Sequence, residues 1–224
     1  MQFTATHLTR QLDLIPLETL SEKITIIGAG AIGSWVTLAL AKMGFTDLTV
    51  WDFDEVSMEN MNCQFFRMKD VGLLKTNALT RMIEDFTGHP VNVEHRKYES
   101  GAFPGIVISA VDSMEVRKLI WENHKRKAPF TRYIIDPRMG AESALLYVMD
   151  PNNPKDIESY EKTLYSNEEA EQERCTAKAT MYTANMLAGL VAKAVKDIVT
   201  GGNLPRIVNW SIKDNGFQAW RRPE

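Results

Sequence analysis

Apolar positions along the chain alternate between short β-branched runs and longer stretches at helical spacing. Ile24–Ile27 is an apolar run that stops at a glycine cluster, and Ser34–Met43 carries on as an apolar helix pattern ending before Gly44. Leu48–Trp51 is a second short strand. Thr76–Thr87 reads as a helix with Leu79, Met82, Ile83 and Phe86 on one stripe, stopped by Gly88-His89-Pro90. Strands follow at Val91–His95 and Gly105–Ala110. A helix comes next at Ser113–Lys127, with Ser113 as its cap and Val116, Leu119, Ile120 and His124 at helical spacing. Tyr133–Asp136 reads as a strand broken by Pro137, and Ala144–Met149 as another. Residues 152–176 are polar and acidic and read as a surface loop with a helical turn or two. Ala179–Val199 is a long amphipathic helix with Met181, Ala184, Leu187, Val191, Ala194, Val195 and Ile198 on one face. Ile207–Ile212 is a late strand, and Phe217 and Trp220 are expected to anchor the tail.

Strands alternating with helices predict an α/β fold: a Rossmann-like, doubly wound, mostly parallel sheet with helices on both faces. The expected organisation is an N-terminal arm over residues 1–22, interrupted by Pro16, and one nucleotide-binding domain over 23–224. A chain of 224 residues with 44% hydrophobic content buries a sizeable core. A net charge of -3 gives no basic surface for nucleic acid or an anionic membrane, and the apolar runs are short of a membrane span. The N-terminus does not resemble a signal peptide. Two cysteines, Cys63 and Cys175, with no Cys-x-x-Cys pair, read as reduced cytosolic thiols rather than a zinc site.

The chemistry concentrates where the first strand ends. Gly28-Ala29-Gly30-Ala31-Ile32-Gly33 is a Gly-x-Gly-x-x-Gly turn between strand and helix, and Asp52 closes the second strand 19 residues after Gly33. In such a layout Gly28 permits the turn, Gly30 lets backbone N–H groups approach a phosphate, Gly33 lets helix and strand pack, and Asp52 accepts from a ribose. Asp52, Asp54, Asp112 and Asp136 all follow predicted strand ends. Four carboxylates on one rim are reconciled with phosphates by a divalent cation, which favours ATP with Mg²⁺ over a dinucleotide.

Several motifs in order resemble the ThiF/MoeB family, which includes the adenylation domains of ubiquitin-activating enzymes. The segment 48–57 (Leu-Thr-Val-Trp-Asp-Phe-Asp-Glu-Val-Ser) is similar to the family's second strand with its paired aspartates. Asn60-Met61-Asn62-Cys63-Gln64 resembles Asn-Leu-x-Arg-Gln, Val71-Gly72-x-x-Lys75 the catalytic-lysine segment, Ala110-Val111-Asp112-Ser113 the magnesium-binding step, and Thr9-Arg10-Gln11 the N-terminal signature. The resemblance implies a cytoplasmic, homodimeric, ATP-dependent adenylyltransferase that activates the C-terminal carboxylate of a ubiquitin-like or sulfur-carrier protein ending in Gly-Gly as an acyl-adenylate. A thioester step could follow.

By the resemblance, Ile32 and the turn glycines hold ATP with Asp52 and Asp54, Lys75 pairs with phosphates, Asp112 holds Mg²⁺, Asn60 and Gln64 orient phosphate or ribose, and Arg10 enters the partner subunit's site. Each has a plainer alternative: a solvated helix-start lysine, a turn carboxylate, loop hydrogen bonding, an exposed arm arginine. Cys63 departs from the family pattern, because a thiol cannot supply the forked positive charge of a guanidinium; Arg67, four residues on, is the candidate substitute. Cys175, in Arg174-Cys175-Thr176 within a possible crossover loop over 151–176, reads either as a thioester-forming nucleophile or as an ordinary loop cysteine. Asp136-Pro137-Arg138-Met139-Gly140 reads as a turn with an Asp–Arg pair or as a groove lining. The four histidines lack ligand spacing. Two other function classes stay open: a catalytically degenerate binding subunit, which Cys63 favours, and an NAD(P) oxidoreductase, for which no Tyr-x-x-x-Lys pair is found.

Overall fold

A computed structural model describes residues 5–127, 129–165 and 179–221. The chain forms one eight-stranded sheet in the order β3-β2-β1-β4-β5-β6-β7-β8. Its strands are β1 (Ile24–Ile27), β2 (Leu48–Trp51), β3 (Asn92–Glu94), β4 (Gly105–Ser109), β5 (Thr131–Met139), β6 (Ser143–Met149), β7 (Pro205–Ser211) and β8 (Gly216–Arg221). The first five run parallel, and β6, β7 and β8 add on antiparallel. The α-helices among the described residues are α1 (Ala5–Leu8), α2 (Ala31–Lys42), α3 (Lys75–Thr87), α4 (Met114–His124), α5 (Pro154–Glu161) and α6 (Met181–Thr200).

β-branched residues fill the central strands because both faces of the sheet are covered. Ile24, Ile26, Leu48, Val50, Ile106 and Ile108 point to a core shared with α2, α3 and α6, where Val36, Leu40, Leu79, Ile83, Leu187 and Val191 are buried. Ile27, Val107, Ile134 and Met149 face the other way, onto α4 and α5, with Trp121 and Tyr160 filling that layer. The arm is part of the first core: Leu8, Ile15 and Leu20 are buried in it, and the Gln11 amide donates to the Met43 carbonyl at the far end of α2. Among the described residues no helix is long and apolar enough to cross a membrane.

The chain leaves β1 to build β2 and β3 on one side, then returns to build β4 on the other. The topological switch point therefore lies between β1 and β4, above Ile27 and Ser109, where ligands of doubly wound sheets bind.

Three expectations need correction. Pro137 does not break the fifth strand. Pairing of β5 with β4 stops at Ile135 while pairing with β6 continues to Met139, so Pro137 sits where β5 has a neighbour on one side only and its missing N–H costs little. The helical turn or two expected in the 152–176 segment is present over residues 154–161: the Asn153 side chain accepts from the Lys155 and Asp156 amides, Pro154 takes the first turn, and Ile157 and Tyr160 are buried. Phe217 and Trp220 lie on β8 at the sheet edge, 53% and 48% exposed, so the tail is held by its pairing with β7 and by Phe217 edge-on to Trp210 rather than by burying both rings. Met181 and Phe86 stand at the rims of their helices, half exposed, although the stripes placed them inside.

His124 is fully buried and serves structure. Its Nε2 accepts from the Phe103 amide, which leaves the proton on Nδ1, facing the Ile120 carbonyl. Burial, only partly offset by the Ile120 carbonyl, lowers its pKa below the ordinary imidazole value. The unfolded chain therefore takes up a proton first as pH falls. The stability this neutral ring contributes is complete above about pH 6.5 and declines below it. Thermal denaturation should show the midpoint falling from pH 7 to pH 5, with a shallower fall in His124→Gln.

Candidate functional site

The glycine turn is built by three independent constraints. Gly28 has φ +99°, and a Cβ there would lie 2.4 Å from the Ala110 carbonyl oxygen. A Cβ at Gly33 would lie 1.8 Å from the Gly28 oxygen. Asp52, at the end of β2, then ties the turn down: its Oδ2 accepts from the Ala29 amide at 2.7 Å and its Oδ1 from the Asp54 amide at 2.8 Å. Burial raises the Asp52 pKa, and these amide bonds and the nearby Lys75 oppose the rise.

Gly30 differs from its neighbours. Nothing lies within 4 Å of a Cβ built there, so no protein contact demands glycine. The space is open beside the first turn of α2, whose N-cap makes no side-chain hydrogen bond. Free N–H groups and the helix dipole favour an anion there. Gly30→Ala should therefore keep stability within about 1 kcal/mol while weakening any nucleotide bound at the turn tenfold or more. Gly28→Ala should destabilise the fold outright. Paired calorimetric titrations and thermal melts distinguish the two effects.

Around this turn the fold gathers most of the sequence-selected residues. The Lys75 Nζ donates to Asp54 Oδ2 at 2.7 Å, the ammonium being buried and the carboxylate half exposed. The link is fixed on both sides, because the Lys75 amide also donates to the Asp54 carbonyl and Glu55 bridges Leu74. The loop with Asn60 and Gln64 is pinned to the first turns of α2: the Phe65 amide donates to Ser34 Oγ and the Trp35 indole N–H to the Cys63 carbonyl. Asn60 Oδ1 accepts from the Ser57 amide, which closes its own turn. Gln64 Oε1 is buried and makes no hydrogen bond among the described residues. Asp112 follows β4, exposed, one peptide beyond the Ala110–Val111 segment that lies flat on Gly28.

Other candidates fall elsewhere. Asp136 is not on the rim. It is fully buried within β5, with Arg117 Nε on one oxygen at 2.6 Å and Arg138 Nε and the Tyr160 hydroxyl on the other, each at 2.8 Å. The rim thus carries fewer free carboxylates than the strand ends suggested: Asp52 holds the turn, Asp54 holds Lys75, and Asp112 is left exposed. Arg67 forks onto Asp70 at 2.9 and 3.0 Å and reaches Asp85 at 3.0 Å. Asp85 lies ten residues along α3 from Lys75, about 15 Å at 1.5 Å per residue. The guanidinium is therefore already committed to two carboxylates, which leaves it less charge to offer in place of the arginine missing at Cys63. Arg10, next to Gln11, lies at the far end of α2, about 18 Å from Gly30 by helix length. The Cys63 thiol is buried, and burial raises its pKa, which makes it a poor anion and no cation. Cys175 lies outside the described residues. The residue that sequence reasoning missed is Arg117, which sits on the buried stripe of α4 with Ile120 and His124. An arginine on such a stripe signals a buried acid nearby.

Removing Arg67 should leave nucleotide chemistry intact. Arg67→Ala strands the buried Asp70 carboxylate and should cost about 1–3 kcal/mol by denaturant unfolding, with ATP affinity within about twofold of the native value.

The ThiF family model matches residues 10–223, and the chain belongs to the ThiF family. It is 33% identical over 105 residues to the NEDD8-activating enzyme E1 catalytic subunit of Dictyostelium discoideum, a match covering 44% of this chain and 24% of that enzyme. To ubiquitin-like modifier-activating enzyme 5 of Drosophila willistoni it is 30% identical over 124 residues, covering 46% of this chain and 30% of that one. The matched stretch thus spans less than a third of either relative. In structure it resembles E. coli MccB crystallised with MccA, with a TM-score of 0.78 at 16% identity over 97% of this chain and 72% of that one. At that identity the likeness is one of fold.

Proposed function

We propose that the chain is an ATP-dependent adenylyltransferase that activates the C-terminal carboxylate of a protein or peptide, with a ubiquitin-like or sulfur-carrier protein ending in Gly-Gly as the substrate class. The observation that carries this reading is the buried Lys75 ammonium, fixed by Asp54 beside an uncapped glycine turn at the switch point of a ThiF-family sheet.

The residues present fit a nucleotide triphosphate. Gly30 leaves the approach open, the α2 N-terminus offers N–H groups, and Gln64 Oε1 has an unused acceptor. Magnesium fits as an ion shared with the phosphates: among the described residues no group of three His, Cys, Asp or Glu side chains could hold it alone, and Asp112 supplies one carboxylate. ATP supplies the AMP that joins the carboxylate oxygen while pyrophosphate departs. The chain itself positions and neutralises: Asp52 keeps the turn in shape and keeps acceptor capacity for ribose, Asp54 aims Lys75, and Asp112 meets the cation. Arg10 lies too far from its own turn to serve there, so any contribution it makes to phosphate binding comes from a second copy, in a homodimer. Cys175 is the candidate thioester nucleophile.

The test is ATP–pyrophosphate exchange with Mg²⁺ against Gly-Gly-terminated carriers. Carrier-dependent exchange supports the reading. ATP binding without exchange supports the second one, a non-catalytic subunit, which Cys63 and the committed Arg67 favour.

A further inference from the structure

The Asp136 cluster holds one charge too many. A buried carboxylate is neutralised by one arginine, yet Arg117 and Arg138 both converge on it, with 6% and 12% side-chain exposure. The excess positive charge is costly to bury and calls for a return. Arg138 has partners of its own: it donates to the Thr163 carbonyl at 2.9 Å and stacks on Tyr147 at 4.7 Å. The other bond of Arg117 goes from Nη2 to the Val111 carbonyl at 2.6 Å.

Val111 is where the chain leaves the sheet. β4 ends at Ser109, the Ala110 amide makes a last bond to the Ile27 carbonyl, and Ser113 already caps α4. The two residues between, Val111 and Asp112, lie outside the ladder. One side of this step rests on Gly28, and the other is held by Arg117.

We propose that Arg117 is a positioning residue for the nucleotide's cation: Asp136 clamps the guanidinium, Nη2 fixes the Val111 carbonyl, and the Asp112 carboxylate is thereby presented at the switch point. This rests on the reading that Asp112 meets a divalent cation bound with ATP. Residues that orient a ligating carboxylate commonly matter tenfold to a hundredfold for metal affinity. Lysine keeps the charge but lacks the fork that holds Asp136 and Val111 together.

The experiment is calorimetric titration of the full chain with ATP, with and without Mg²⁺. Arg117→Lys should lose about tenfold of the tightening that Mg²⁺ gives, with affinity for ATP alone within about twofold. Arg138→Lys, which disturbs the same buried carboxylate, should keep the tightening. If Arg117→Lys fails to fold, the paired change Arg117→Met with Asp136→Asn removes both charges together and carries the same expectation. The proposal is overturned if Arg117→Lys keeps the Mg²⁺ effect while Asp112→Asn loses it, or if Arg117→Lys weakens ATP equally in both conditions. If Asp112→Asn itself keeps the effect, the assignment of Asp112 has failed and takes this proposal with it.

Discussion

If the chain is the adenylyltransferase proposed, Lys75→Ala should lower carrier-dependent pyrophosphate exchange by about a hundredfold to a thousandfold, the range for losing one pre-organised charge donor, and should leave the fold standing. The size follows from how the ammonium is held. Lys75 is buried at the first residue of α3, and among the described residues its ammonium pairs with Asp54, so its position is set before any ligand arrives. A donor fixed in advance contributes without reorganisation when charge moves from the scissile bond onto the departing pyrophosphate. Removal leaves little unpaired, since Asp54 is half exposed and water can solvate its carboxylate. The other candidates named from the sequence do not replace it. Cys63 brings no charge, Arg67 serves Asp70 and Asp85, and Arg10 lies at the far end of α2. Exchange kinetics on Lys75→Ala beside thermal melts decide the matter. Activity within tenfold of native, on a folded variant, would place the phosphate cation elsewhere. Asp54→Asn should show a smaller loss, because the ammonium survives and only its aim is relaxed.

Where local rules dominate, the chain is legible. β1 and β2 fall on the residues their β-branched runs mark, and the glycine turn reads correctly because its demands are steric and local: a positive φ at Gly28 and close approach at Gly33. The motif order adds the family. Legibility ends where long-range pairing decides. A strand-end aspartate looks like a rim carboxylate, but β5 runs on past its neighbour β4 to pair with β6, which puts Asp136 inside the sheet. Arg67 is a mixed case: its fork onto Asp70 is local, three residues on, while its reach to Asp85, 18 residues away, is not. β8 is different, since its signal was present: Asn215-Gly216, with Asn215 at φ +55°, is hairpin chemistry between two runs containing aromatics. The half-exposed Phe217 and Trp220 fit an edge strand and mislead only when read as core residues.

Asp136→Asn should be the most destabilising conservative change in the chain, costing about 3–5 kcal/mol, the range for breaking a buried ion pair from one side. Asparagine matches the shape of the carboxylate but leaves two buried guanidinium groups without their counter-charge. The Tyr160 hydroxyl, which donates to the same oxygen, faces an amide that can turn either end toward it. Burial alone would raise the Asp136 pKa; the charges of Arg117 and Arg138 and the Tyr160 hydrogen bond overcome it and hold the group below the ordinary aspartate value. The sign for stability follows. With the folded pKa depressed, the contribution is complete above the unfolded value near pH 4 and is lost as pH falls through the folded one. Native protein should therefore steepen its loss of stability below about pH 4, and Asp136→Asn should start lower and descend less steeply there. Denaturant unfolding at several pH values measures both features. Replacing Arg117 as well, as Arg117→Met, should recover part of the loss, because the Arg138 charge alone then remains. A double variant no more stable than Asp136→Asn would show that the second arginine carries no excess charge penalty.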